Sequence, residues 1–184
     1  MIGIIDIFGG FGNQLFQLSF AKYVSKKNIN TFAYVDKNLF INKNNEYDQK
    51  RNLILPTEYF GLKTLSNKQL KLLEKITKNK IISKKFYEIL TEENVIDFDN
   101  LKRITSFNGF WQNMKYIEPI FNDLITDLKK DKRIEDALLK EKNDRTMLLV
   151  RRGDFAAQGL DLDLSFYEQS LIKSDVNNGY DIFT

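Results

Sequence analysis

The stretch Ile2-Gly3-Ile4-Ile5-Asp6-Ile7-Phe8, running straight into Gly9-Gly10-Phe11-Gly12-Asn13-Gln14, constrains this chain more than any other. Residues 2–8 are almost continuously apolar and bounded by glycine, the pattern of a strand buried on both faces. Past the glycines, Phe16, Phe20, Tyr23 and Val24 share one helical face, while Gln17, Lys22 and Lys26 are expected to point away from it. Thr31-Phe32-Ala33-Tyr34-Val35 reads as a second short strand. Strand, tight turn, helix and strand make a βαβ unit, and a parallel sheet must be covered by helices on its faces, so the chain is expected to be an α/β protein.

The rest of the sequence extends that reading. Residues 37–60, rich in Asn, Lys and Tyr, have little periodicity and read as a long loop with short ordered pieces. Ser66 and Gln69 form a capping box for a helix whose Lys68, Lys71, Lys75 and Lys78 lie opposite Leu70, Leu73 and Ile76. Ile104 to Trp111 reads as a strand, with Asn113 opening a helix that carries Ile117, Phe121, Leu124, Ile125 and Leu128 and tolerates Pro119 near its start. The charged run Asp131 to Asp144 closes a first domain, residues 1–144, and a second, residues 145–184, begins with a strand from Thr146 to Val150. In that second part Ser165 and Glu168 form a capping box, Asn177-Asn178-Gly179 a turn, and Tyr180-Asp181-Ile182-Phe183 another strand. Because an α/β sheet normally needs further strands and helices, the second domain is expected to be only begun at Thr184.

Composition restricts the chemistry. With no cysteine and no histidine among 184 residues, thiolate catalysis, disulfides and the commonest metal ligand and general base are excluded, leaving carboxylates, backbone amides and cations. The net charge of +3 is small but unevenly placed: eight lysines and one acid, Glu74, lie between Lys63 and Lys85. That cationic helix is either a solvated face or a peripheral seat on an anionic membrane, and no motif points to nucleic acid. The opening residues have neither a basic leader nor a long apolar run, so the expected location is cytoplasmic, at most peripheral to the inner face of the membrane.

Two places stand out for binding. A strand, a glycine turn at Gly10 and Gly12 and a helix N-terminus gather free N–H groups and a positive dipole end, which suits a phosphate, although the same glycines also make an ordinary tight turn. Asn13 and Gln14 add two side-chain amides, one as N-cap and both as donors toward an anion or sugar hydroxyls. Leu15 occupies the third glycine of the dinucleotide fingerprint, which weakens that alternative, while Asp36 after the second strand keeps it open. The second place is Arg151-Arg152-Gly153-Asp154, at a predicted strand end, where a guanidinium forks onto two phosphate oxygens or pairs with Asp154. Trp111, the one tryptophan, is expected in the core rather than stacked on a sugar.

In order along the chain, GGFGNQLFQLSFAKYV, NGFWQNMKYI and LLVRRGDF resemble the bacterial α-1,2-fucosyltransferases of glycosyltransferase family 11. The resemblance implies a GT-B-like enzyme, with the N-terminal α/β domain complete and a second, Rossmann-like domain begun. Such an enzyme moves fucose from GDP-fucose to a galactose hydroxyl of a glycan with inversion, and needs no metal or other cofactor. Carried over by position, Gly10, Gly12, Asn13 and Gln14 line the donor site, Arg151 grips the β-phosphate, and Arg152 shares or braces that contact. Asp154 is either the base for the acceptor hydroxyl or the ion-pair partner that orients Arg152. Leu149 stands where the family usually has a histidine. The alternative is a non-catalytic nucleotide-binding or interaction fragment of the dinucleotide type.

Overall fold

The computed structural model describes residues 1–35, 53–139, 146–149, 159, 162–173 and 180–183. The chain divides into two compact units, with the change-over at Ala137 and Leu138.

The first unit is built on strands β1 (Ile2–Asp6), β2 (Asn30–Tyr34), β3 (Lys63–Thr64), β4 (Tyr87–Thr91) and β5 (Ile104–Asn108). They form one sheet in the order β3-β2-β1-β5-β4, parallel at every pairing, with Ile4 opposite both Phe32 and Ser106. This is the parallel α/β arrangement that the opening βαβ pattern anticipates, and it is compatible with a Rossmann-like fold. Strand order runs outward from β1 to β3 and resumes on the other side of β1, so β1 and β5 lie at the switch point where such sheets gather ligands beyond their carboxyl ends.

Helix α1 (Phe11–Ser25) crosses from β1 to β2. It buries Leu18, Phe20, Ala21 and Val24 completely, more of its circumference than the single face expected from the sequence, because α4 (Met114–Ile117) and two 3₁₀ turns (Thr57–Phe60 and Glu118–Ile120) pack on its other sides, while α5 (Phe121–Leu128) is tied to it by the Asp127–Lys22 ion pair. A Cβ on Gly3 would lie 3.2 Å from the Ile29 side chain before β2 and 3.4 Å from that of Val24 in α1, so a glycine in β1 lets the covering layer approach the sheet. Helix α2 (Asn67–Lys78) follows β3. Its capping box is formed as expected, Gln69 donating its backbone N–H to Ser66 Oγ at 3.4 Å and accepting the Ser66 N–H at 2.8 Å. Helix α3 (Lys80–Phe86) comes next, capped by Asn79, and neither α2 nor α3 contributes a buried residue.

Several boundaries differ from the sequence expectation. The 104–111 strand stops at Asn108 because Gly109 and Trp111 take positive φ, 155° and 58°. The helix opened by Asn113 is broken into α4, a 3₁₀ turn (Glu118–Ile120) and α5, because Pro119 brings no N–H and interrupts the ladder. Strand β4 carries no clear pattern of buried apolar residues because, as an edge strand, it exposes Ile89 and Thr91 and only half-buries Tyr87, Glu88 and Leu90. Helix α6 (Lys132–Leu139) occupies the charged run, with Asp131 Oδ1 accepting the Arg133 N–H at 3.0 Å at its start.

The second unit contains β6 (Thr146–Leu149), α7 (Leu164–Lys173) and β7 (Tyr180–Phe183), the two strands parallel with Thr146 opposite Tyr180. Ser165 lies inside α7 rather than capping it. Asp163 takes that role, accepting the Ser165 N–H at 2.8 Å, because its carboxylate precedes the first turn.

Candidate ligand site at the carboxyl edge of the first sheet

Gly9, with φ of +79°, makes the turn out of β1, and a Cβ there would meet Asn13 Nδ2 at 3.0 Å. Gly10 is the N-cap in extended backbone and its carbonyl accepts the Gln14 N–H at 3.0 Å. Gly12 differs from the expectation: it is already inside α1, and a Cβ placed on it meets nothing within 4 Å, so the turn does not require it. No side chain caps α1, and its first turn has no acid, so the first N–H groups of a 15-residue helix point out at the carboxyl edge of the sheet with the positive end of the dipole behind them.

The three amide side chains of the segment have separate tasks. Asn13 is not the N-cap. It sits half-buried in the first turn, where its Oδ1 accepts a hydrogen bond from Gln112 Nε2 at 2.8 Å. Gln14 does not face outward as a ligand donor would: it is 1% exposed, donates Nε2 to the Gly9 carbonyl at 2.9 Å and accepts the Ile54 N–H at 3.0 Å. Gln17, expected on the solvent side, is fully buried. Its Oε1 accepts the Phe8 N–H at 2.9 Å and its Nε2 donates to the Gly109 carbonyl at 3.1 Å. Helical periodicity sent Gln17 outward because it is polar. The folded chain draws it inward because β1 and β5 both end in loops whose backbone groups are shielded from water and require partners.

The loop after β5 forms the other wall. Trp111 is 1% exposed and stacks on Phe20 with centroids 4.0 Å apart and planes 6° from parallel, the core role expected for it. An aromatic residue at φ 58° stores strain of roughly 1–3 kcal/mol, which surrounding contacts must offset. Glu92, just past β4, contributes to that: its Oε2 accepts the Phe110 N–H at 3.2 Å and the Trp111 N–H at 2.9 Å. The Phe8 and Phe110 rings meet at 5.1 Å, with Phe110 partly exposed and Phe11 exposed at the start of α1. Glu92, Gln112 and Gln17 were not singled out from the sequence, since each depends on two loops far apart in the chain.

Behind the site, Asp127 is buried and paired with Lys22 and with Lys130, the latter at 2.7 Å, which fixes α5 to α1. The Arg133 guanidinium, hydrogen-bonded to Asp131 at 2.6 Å and 2.9 Å, holds the Asp131 carboxyl below the ordinary aspartate range. Among the described residues no three His, Cys, Asp or Glu side chains gather as a metal site requires. Arg151, Arg152, Gly153 and Asp154, like Asp36 and the Asn177-Asn178-Gly179 turn, lie outside the described residues. Leu149 is the last residue of β6.

Fold and edge together make the first unit a parallel α/β protein, compatible with a Rossmann-like fold, with an uncapped helix N-terminus and a side-chain amide bridge at its switch point. Compared with protein-family models, curated protein sequences and solved structures, the chain matches none of them. Among the described residues no helix is long and apolar enough to cross a membrane.

Proposed function

We propose that the chain binds a nucleoside-diphosphate sugar at the carboxyl edge of the first sheet and serves as a GT-B-like galactoside α-1,2-fucosyltransferase. The donor is GDP-fucose, the acceptor is a galactose-containing glycan, and no metal takes part. The single observation that carries this reading is the 2.8 Å Gln112–Asn13 bridge beside the uncapped start of α1, which fixes an amide-rich edge where an anion gains most from the helix dipole. The motif resemblance supplies the substrate and the reaction.

In that reaction the acceptor oxygen forms a bond to the fucose anomeric carbon as the bond to the diphosphate oxygen breaks, and GDP leaves with the electron pair. Negative charge builds on the diphosphate, and fixed N–H donors at Gly10, Gly12 and Asn13 stabilise it without reorganisation. Gln14 supports those amides by holding the Gly9 carbonyl. The resemblance gives Arg151 the β-phosphate, Arg152 a bracing contact, and Asp154 either the acceptor proton or the orientation of Arg152.

Calorimetry with GDP, GDP-fucose and NAD tests the binding, and transfer of labelled fucose to lactose tests the chemistry. GDP and GDP-fucose binding without NAD binding supports the reading. NAD binding alone would favour the dinucleotide alternative through Asp36, and no binding of any of the three removes both.

The same reading places the protein at the cytoplasmic face of an anionic membrane, through α2 and α3. Ile81 is 84% exposed among lysines that face a single acid, Glu74, itself paired with Lys78 at 2.6 Å. Sedimentation with phosphatidylglycerol vesicles but not with phosphatidylcholine vesicles, weakened by Ile81→Asp, supports that seat; equal or absent sedimentation with both refutes it.

A further inference from the structure

Strand β4 pairs with β5 in parallel, Thr91 opposite Asn108, so Glu92 emerges beside Gly109 one step beyond the sheet. A Cβ on Gly109 would lie 3.4 Å from Cβ, Cγ and Cδ of Glu92; the missing side chain leaves the glutamate stem lying across the backbone. From there one carboxylate oxygen, Oε2, takes two successive N–H groups, those of Phe110 and Trp111. The Trp111 carbonyl in turn accepts the Asn113 N–H at 2.8 Å, closing a tight turn around Gln112, whose amide reaches Asn13. Glu92 is exposed, contributes no apolar burial, and pairs with no cation among the described residues.

We propose that Glu92 is a positioning residue for the diphosphate site: its carboxylate holds the β5 loop in its left-handed form and thereby presents the Gln112 amide to Asn13 at the start of α1. The proposal rests on the nucleotide-sugar reading for its ligand, and on the loop geometry alone for its mechanism. Glu92 acts through the loop and touches no reacting atom. Reach matters more than charge: glutamine keeps a carbonyl oxygen at the same distance, whereas aspartate keeps the charge and loses one methylene of reach.

The sole tryptophan makes the loop directly observable. The full chain is compared with Glu92→Gln, Glu92→Asp and Glu92→Ala by Trp111 emission and acrylamide quenching without ligand, and by calorimetric titration with GDP. Glu92→Ala and Glu92→Asp are expected to raise the quenching constant and to weaken GDP binding about ten-fold, because the acceptor shared by two backbone N–H groups is lost, with Glu92→Gln, which keeps an acceptor there, within about three-fold of the parent. Glu92→Asp carries the test should Glu92→Ala fail to fold. Unchanged Trp111 quenching in Glu92→Asp, or GDP affinity within two-fold of a parent that does bind GDP, overturns the proposal. A parent that binds no GDP overturns the nucleotide reading instead, and the quenching result still decides what Glu92 does to the loop.

Discussion

Replacing Gln17 by leucine isolates what the buried amide contributes, because the two side chains are of similar volume and no sizeable cavity is left. The substitution removes the partner of the Phe8 N–H and of the Gly109 carbonyl, held at 2.9 Å and 3.1 Å, in a place with no side-chain exposure to water. A backbone group left unpaired costs about 1–3 kcal/mol when buried, so the two together imply a loss of at most about 2–6 kcal/mol, toward the lower end because Phe8 and Gly109 are half-buried. Against a typical total of about 5–15 kcal/mol, that is a large share of the stability of the fold. Urea unfolding followed by the emission of buried Trp111 measures it, with the slope against denaturant required to stay constant so that the midpoint shift reports stability alone. Gln17→Glu is a harsher change, since one oxygen still accepts from Phe8 while the other faces the Gly109 carbonyl. A loss below about 1 kcal/mol for Gln17→Leu would refute the reasoning, because it would mean that the two groups find other partners at little cost.

Asn13→Ala cuts the Gln112 bridge while leaving the core untouched; GDP titration is expected to show about ten-fold weaker binding with a melting temperature shifted by only a few degrees. The two glycines of the turn behave oppositely in thermal unfolding: Gly9→Ala, at φ +79° and 3.0 Å from Asn13, is expected to lose about 1–2 kcal/mol, whereas Gly12→Ala, in open helix, gains up to about 1 kcal/mol. Asp131 has a carboxyl held below its ordinary range by Arg133, so the stability it contributes is complete above the unfolded aspartate value and is lost as pH falls through the lower folded value. Asp131→Asn, which retains the α6 cap, should therefore be less stable than the parent at pH 7, with the gap closing below about pH 4 in paired urea curves.

Much of the first unit is readable from local pattern. The isoleucine run of β1, the glycine turn, the Phe20 and Val24 face of α1 and the Ser66–Gln69 capping box follow from short-range rules, and each stands in the structure. What escaped were elements defined by their neighbours. Strand β4 is recognisable only once β5 lies beside it, and the break at Pro119 competes with an apolar period that continues across it. The candidate site divides in the same way: Gly10 and Asn13 were marked by a strand-glycine-helix signature, whereas the Glu92 and Gln112 contacts join residues 18–19 and 99 positions apart.

By itself the sequence determined that an apolar strand would turn through glycine into a helix, because hydrophobic period and backbone permissiveness act over a few residues. Only the tertiary structure decided which way the polar side chains of that helix face. Gln14 and Gln17 turn inward, and Asn13 meets Gln112, because assembling β1 beside β5 shields loop N–H and C=O groups that must then be hydrogen-bonded from within. That demand does not exist until the strands are paired.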